Sequence, residues 1–400
     1  MSGDALQHAV AKSLARVEVP GEHEARERAW QLLSAAFAER DAAPVRRRAT
    51  RRLVPVAAIV LVAALVAAAA SSPGRALLHS IRETVGVEKA APALFSLPAS
   101  GSLLVHSDGG LWVVQADGSK RRLGAYASGS WSPHGLYVAA TRRNALFALT
   151  PTGEERWSLA RPRVREPVWT GTRTDTRIAY TSRDELRVVG GDGRGDTGLG
   201  TAPDMGEAPL AWRPGDGRVL AYALPEQGIV RVVDVDAGGE EVWSNAVAGK
   251  ATELAWSSDG RLLLVATMGP RADTTTLYRP PRVVQGMESG ASRRPVSVVR
   301  EPPGIVEAAL RPGTHQVAIL SRPGEVASVK LGGRTIFRAA GDLRGLTWSP
   351  DGKWLLVGWP DADQWVFVPV GAGRPRAVAN VSAQFRSRSF PQVEGWCCAP

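Results

Sequence analysis

Residues 348–357 read Trp-Ser-Pro-Asp-Gly-Lys-Trp-Leu-Leu-Val. The Pro-Asp-Gly element is a tight turn: proline presets φ and glycine accepts a positive φ. The apolar run after it reads as a buried strand. The phrase recurs as WSPHGLYVAA from Trp131, WRPGDGRVLAY from Trp212 and WSSDGRLLLV from Trp256. Degenerate copies start at Trp169 (WTGTRTDTRIAY) and Leu310 (LRPGTHQVAIL). Successive intervals are 38, 43, 44, 54 and 38 residues. A period near 43 marks a radial or stacked array, here with strand chemistry.

Each unit continues in the same order. A second strand ends in Asp-Gly or Gly-Gly, as in LWVVQADG from Leu111, ELRVVGGDG from Glu185 and IVRVVDVDAGG from Ile229. A short polar strand closes the unit, as in KRRLG from Lys120. The stretch 101–124 has these later strands but no Trp phrase, and counting it gives seven units between about 95 and 390. Thr150-Pro-Thr-Gly-Glu-Glu-Arg-Trp157 also echoes Asp236-Ala-Gly-Gly-Glu-Glu-Val-Trp243, two periods apart.

Trp348-Ser349-Pro350-Asp351-Gly352-Lys353 resembles the hallmark turn of TolB-type, WD-like β-propeller repeats, and the resemblance covers about three quarters of the chain. It implies an all-β propeller of four-stranded blades around a central channel; propellers of this type often have six blades, whereas the seven units counted here favour seven. It also implies that a C-terminal strand completes the first blade, with Ala377–Phe385 as the candidate. The 54-residue interval is read as a long loop over 280–295 rather than a hidden blade. In this frame Trp131, Trp169, Trp212, Trp256 and Trp348 fill the wedges between blades. The acidic turn position (His134, Asp216, Asp259, Asp351) is read as turn chemistry rather than a cation ligand.

Upstream, Leu53–Ala70 is eighteen residues without a charge. As a helix it reaches about 27 Å, enough to cross a hydrocarbon core. Arg46, Arg47, Arg48, Arg51 and Arg52 precede it, and positive flanks stay cytoplasmic. The expected layout is a cytoplasmic helical head with a basic flank (1–52), a transmembrane helix (53–70) and a stalk with an amphipathic helix and linker (71–100). An extracytoplasmic propeller (101–390) and a tail (391–400) follow. A cleaved export signal, with a twin-arginine-like Thr50–Val54 and an Ala68–Ala70 cleavage site, is the alternative to an anchor; both send the C-terminal part across the membrane. The layout is similar to that of membrane-bound anti-sigma factors, which implies a regulatory partner at the head. The head has no cysteine, so the zinc-binding form of that family does not fit.

The net charge is +10 and 43 of the 49 basic residues are arginine. With no recognition motif beside that charge, nucleic acid is not an expected partner. Six histidines are scattered without metal spacing, and no His-Glu-x-x-His or Gly-x-Ser-x-Gly occurs. Gly193–Gly198 matches a dinucleotide fingerprint only on paper, because Leu-Gly-Thr-Ala-Pro follows and cannot open a helix; it reads as a hairpin loop. Cys397 and Cys398 are neighbours, which favours inter-chain pairing or free thiols. The expectation is a non-catalytic binding or scaffold module without a catalytic, cofactor or metal site. Its partners would be the membrane, an envelope protein or glycan at the propeller face, and a regulatory protein at the head. A transmembrane regulator and a propeller-based hydrolase or lyase are the alternatives.

Overall fold

The computed structural model describes residues 88–91 and 96–398, except 173, 202–204, 206–207, 216–217, 285–286 and 290–291. The head, the 53–70 stretch and the amphipathic segment at 75–85 lie outside the described residues. Among the described residues no helix is long and apolar enough to cross a membrane.

Strand β1 (Glu88–Ala91) comes first and runs parallel to the outermost strand of the last blade. Seven four-stranded antiparallel sheets follow. Blade 1 holds β2 (Ser102–Ser107), β3 (Gly110–Val114) and β4 (Lys120–Gly124). Blade 2 is β5 (Ser128–Trp131), β6 (Val138–Arg142), β7 (Ala145–Leu149) and β8 (Glu155–Ala160). Blade 3 is β9 (Val164–Gly171), β10 (Thr176–Ser182), β11 (Glu185–Gly190) and β12 (Thr197–Thr201). Blade 4 is β13 (Leu210–Trp212), β14 (Val219–Leu224), β15 (Ile229–Asp234) and β16 (Glu240–Ala246).

Blade 5 is β17 (Lys250–Trp256), β18 (Leu263–Met268), β19 (Asp273–Arg279) and, after a two-stranded excursion of β20 (Arg282–Val284) and β21 (Met287–Ser289), β22 (Ser292–Glu301). The long interval therefore holds an added hairpin, and its end belongs to the outer strand of the blade. Blade 6 is β23 (Ile305–Leu310), β24 (Val317–Ser321), β25 (Val326–Leu331) and β26 (Arg334–Ala340). Blade 7 is β27 (Arg344–Trp348), β28 (Trp354–Trp359), β29 (Gln364–Pro369) and β30 (Arg376–Ala379).

Closure differs from the sequence expectation. Ala377 lies in β30, at the outside of blade 7, and a short helix α1 (Val381–Gln384) follows it. The strand that completes blade 1 is β31 (Gln392–Cys397), which pairs with β2 as the innermost strand. Residues read as a tail are thus part of the ring. Trp396 faces Leu103 in the register that Trp131 has with Val138 and Trp348 with Leu355. The Trp phrase missing from the first unit is therefore Trp396, at the other end of the chain.

The packing explains why the middle strands are so apolar. Every residue of β14 is buried, whereas β8 alternates between exposed and half-buried positions. A middle strand has a neighbouring blade against each face, so neither face is left for polar side chains. Each of the seven seams holds its own apolar cluster, including blade 1 against blade 7 (Leu103, Val105, Phe367, Phe385, Trp396). This closes the circle. The inner strands run from one rim to the other and end at the Trp turns, so one face is the Trp rim and the other carries the strand starts.

Candidate functional site

Trp131, Trp212, Trp256 and Trp348 end their inner strands and Trp169 lies two residues before the end of β9, and the surroundings of all five are structural. Trp212 Nε1 donates to the Val168 carbonyl at 2.9 Å, and Trp256 Nε1 to Ala211 at 3.1 Å. Trp348 Nε1 donates to Ala309 at 3.3 Å. In each case the acceptor directly precedes the equivalent residue of the previous blade. Trp131 and Trp169 occupy the same places, but their Nε1 atoms find no acceptor among the described residues. The residue after the tryptophan, or after Leu310 in the degenerate copy, reaches the other way. Arg213 Nε donates to Gly260 O at 2.8 Å and stacks over Trp256, and Arg311 Nε donates to Gly352 O at 2.8 Å.

The turn aspartates bind their own turns. Asp259 accepts from Ser257 Oγ at 2.6 Å and Arg261 N at 3.1 Å, and Asp351 accepts from Ser349 Oγ at 2.6 Å and Lys353 N at 3.0 Å. Gly260 and Gly352 take φ of 64° and 65°, the conformation for which the turn requires glycine. The Ser257 hydroxyl, with smaller help from the Arg261 amide and His315, holds the Asp259 carboxyl far below the usual carboxylate range. Gly193–Gly198 runs through the β11–β12 hairpin connection into the start of β12, and its Asp196 is tied to Arg161, Arg187 and Tyr180.

Chemistry-bearing side chains gather elsewhere, at the channel mouth on the rim opposite the Trp turns. A cavity of about 340 Å³ opens there, lined by Glu253, Glu307, Arg344, Phe390, Gln392 and Glu394 among others. The inner strands depart from regular register just where these residues lie, at Ala251/Glu253, Ile305/Glu307 and Leu104/Val105 opposite Glu394. Such bulges re-aim side chains. Glu253 Oε2 accepts from Ala308 N of the next blade at 3.0 Å. Glu307 accepts from both Gly345 N and Leu346 N at 2.6 Å. Glu394 and, in the equivalent place on β9, Glu166 take no hydrogen bond from any described residue.

These carboxyls are poised unusually. Burial pushes Glu253 up to about 7; the Ala308 amide opposes this and Glu307 adds to it. Glu394 is pushed up to about 7 by burial and by the charge of Glu166. Glu166 is raised by burial against the pull of Arg165. Glu166 and Glu394 are open to water along the channel, yet the surrounding wall of strands removes enough solvent to disfavour their charge. No cluster of three or more metal-ligating side chains occurs among the described residues.

Sequence reasoning missed this set, although a signal was present. Glu166, Glu253 and Glu307 each stand three residues before Trp169, Trp256 and Leu310, and Glu394 stands two before Trp396. Cys397 and Cys398, expected apart or inter-chain, are joined to each other in a disulfide. Cys398 adopts a left-handed φ of 57° as β31 ends, and both sulfurs lie against the Ser132–Pro133 carbonyls of blade 2. Arg46, Arg47, Arg48, Arg51 and Arg52 lie outside the described residues.

No family model matches the chain. No curated protein matches it either. Solved structures similar to it include a chain of the mitotic checkpoint complex at 14% identity, covering 74% of this chain and 89% of that one, with a TM-score of 0.49. The Myceliophteria thermophila Cps50 (Swd1) β-propeller domain is 14% identical, with 71% and 98% covered and a TM-score of 0.47. Kuenenia stuttgartiensis hydrazine synthase is 15% identical, with 61% and 76% covered and a TM-score of 0.47.

Proposed function

We propose that the chain is a non-catalytic binding or scaffold module of the cell envelope. In this reading Leu53–Ala70 anchors it in the membrane, the N-terminus is cytoplasmic and the propeller is held outside. The partner, an envelope protein or glycan, docks at the channel mouth. The observation that carries the reading is the division of labour within the repeat. The Trp-phrase residues are consumed in joining blades, while the mouth keeps an open cavity whose Glu394 has no hydrogen-bond partner among the described residues. Propellers commonly place function where connections escape the packing constraint.

Two measurements test it. A reporter fused after Pro400 should be active only outside the cytoplasm; cytoplasmic activity removes the topology. A photo-crosslinker at Gln392 should trap one defined envelope component in living cells, and the same probe at exposed Gly371 on the Trp rim should not. A hydrolase or lyase using the same cavity is the second reading, favoured by Glu253 and Glu394 titrating near neutrality. Turnover of a nitrophenyl glycoside that falls more than about tenfold in both Glu253→Gln and Glu394→Gln would install that reading instead.

A further inference from the structure

The rim that carries the channel mouth also bears a strip of arginines where blades 2 and 3 meet. Three chain segments build it: the end of β6 and the β6–β7 turn (Arg142, Arg143, Asn144), the β8–β9 connection and the start of β9 (Arg161 to Arg165), and the β10–β11 turn (Arg183, Asp184). They are tied together through their backbones. Arg161 N donates to Asn144 O at 2.9 Å and Arg163 N to Asn144 Oδ1 at 3.1 Å. Ser182 Oγ donates to Pro162 O at 2.8 Å. Residues 40 apart in sequence thus present one surface.

Two independent features mark it. The first is charge without internal neutralisation. Arg142, Arg143, Arg163, Arg165 and Arg183 are exposed. No ion pair engages Arg143, Arg163 or Arg183 among the described residues, whereas Arg161 is taken up by Asp196. The carboxylates within the strip are Asp184 and Glu166, and burial favours the neutral form of Glu166.

The second feature is backbone conformation. Arg143, Arg163 and Arg183 have φ of 55°, 51° and 57°. This left-handed region is unfavourable for a residue with a β-carbon, and glycine or asparagine is the relaxed choice there. Blade 4 places Gly228 (φ 61°) in the corresponding turn. Strained positions that keep a long charged side chain point to a use for that side chain.

We propose that this strip is a docking surface for an acidic, extended protein segment, its guanidinium groups pairing with aspartate and glutamate carboxylates. Guanidinium matches carboxylate in a two-bond fork. Carboxylate-bearing peptide fits better than nucleic acid for two reasons. The aromatic rings beneath the strip, Tyr126 and Phe147, are buried, and the Arg142 guanidinium covers them at 5.0 and 4.7 Å, so no face is left for base stacking. Asp184 interrupts the strip, which a peptide of mixed side chains accommodates and an unbroken phosphate backbone does not. The surface is distinct from the cavity, so it stands whether or not the cavity holds a ligand.

The test uses the full chain in detergent and a fluorescein-labelled oligo-glutamate peptide, read by anisotropy. The variant Arg143→Asn, Arg163→Asn, Arg183→Asn removes three charges at positions where asparagine relieves the backbone. It should bind at least about tenfold more weakly while its melting temperature stays level or rises. The control Arg156→Asn, Arg261→Asn, Arg374→Asn removes the same charge from the Trp rim and should bind as the parent does. The proposal is overturned if the strip variant binds oligo-glutamate unchanged, or if the control weakens binding equally. It is also overturned if single-stranded DNA or phosphatidylglycerol vesicles bind the same arginines more tightly than the peptide.

Discussion

The seams from blade 3 round to blade 7 differ from the seams joining blades 7, 1, 2 and 3. In the first arc side chains cross between inner strands at every seam: Trp212 to Val168, Trp256 to Ala211, Glu253 to Ala308, and Glu307 to Gly345 and Leu346. On the Trp rim His315 adds a contact with Asp259 at 3.0 Å. In the second arc no side chain of β31, β5 or β9 hydrogen-bonds the neighbouring inner strand among the described residues; Cys397 Sγ of β31 reaches only Ser132 O, just past the end of β5. Ser130 Oγ, Trp131 Nε1 and Trp169 Nε1 are instead buried without partners. That arc is joined further out, by Trp157 to Gly191 and by Asp108 to Ser387, Arg388 and Ser389. One repeat thus supports two grades of joint. The less bonded arc is also the one that carries the arginine strip and receives the closing strand.

The largest effect should come from removing a crossing carboxylate. Glu307→Ala leaves two strand amides without their acceptor and should cost about 2–4 kcal/mol in denaturant unfolding. Glu166→Ala, at the equivalent place in the other arc, should cost nothing measurable or stabilise. Equal losses at both positions would erase the distinction between the arcs.

A smaller contrast is expected at the tryptophans. Trp256→Phe gives up a bonded indole and should lower stability by about 1–3 kcal/mol. Trp169→Phe removes a buried donor that has no acceptor among the described residues, so the relief of that cost should offset part of the lost packing and the measured penalty should be clearly less.

The smallest effect should be the dependence on acidity. Glu253 and Glu394 sit near 7 in the folded chain against an ordinary 4.5. Between those values the folded protein binds more protons than the unfolded one, so stability should fall as pH rises through that window. Melting temperature should be higher at pH 5 than at pH 8, and Glu394→Gln should flatten the difference. An unchanged slope in that variant would mean that its carboxyl is not the group responsible.

The Trp-Ser-Pro-Asp-Gly phrase was legible because its chemistry is local. Ser349, Asp351 and Gly352 make their turn among themselves, so the same letters recur wherever the turn does. The seventh blade could be counted because β2, β3 and β4 keep their own pattern. The closing strand was placed too early because Cys397-Cys398 stand where the phrase has Ser-Pro, so Trp396 lacks the turn letters that mark the other copies. The glutamates escaped notice for a different reason. A carboxylate three residues before a tryptophan acquires meaning only when the ring turns that position into the channel and sets the next blade's amides against it. The arginine strip likewise exists only once Arg143, Arg163 and Arg183 are folded side by side.

That blade 1 draws its innermost strand from residues 392–397 has a consequence for biogenesis. Until residues 392–397 are delivered, β2 offers Leu103, Leu104 and Val105 along an open sheet edge, next to seams that lack inner-strand hydrogen bonds among the described residues. A growing polypeptide would carry that edge until β31 pairs with it, available to any stray strand it meets. Late truncations should therefore be judged by aggregation rather than by lost binding, and a chaperone that shields one sheet edge would be the helper this fold most needs.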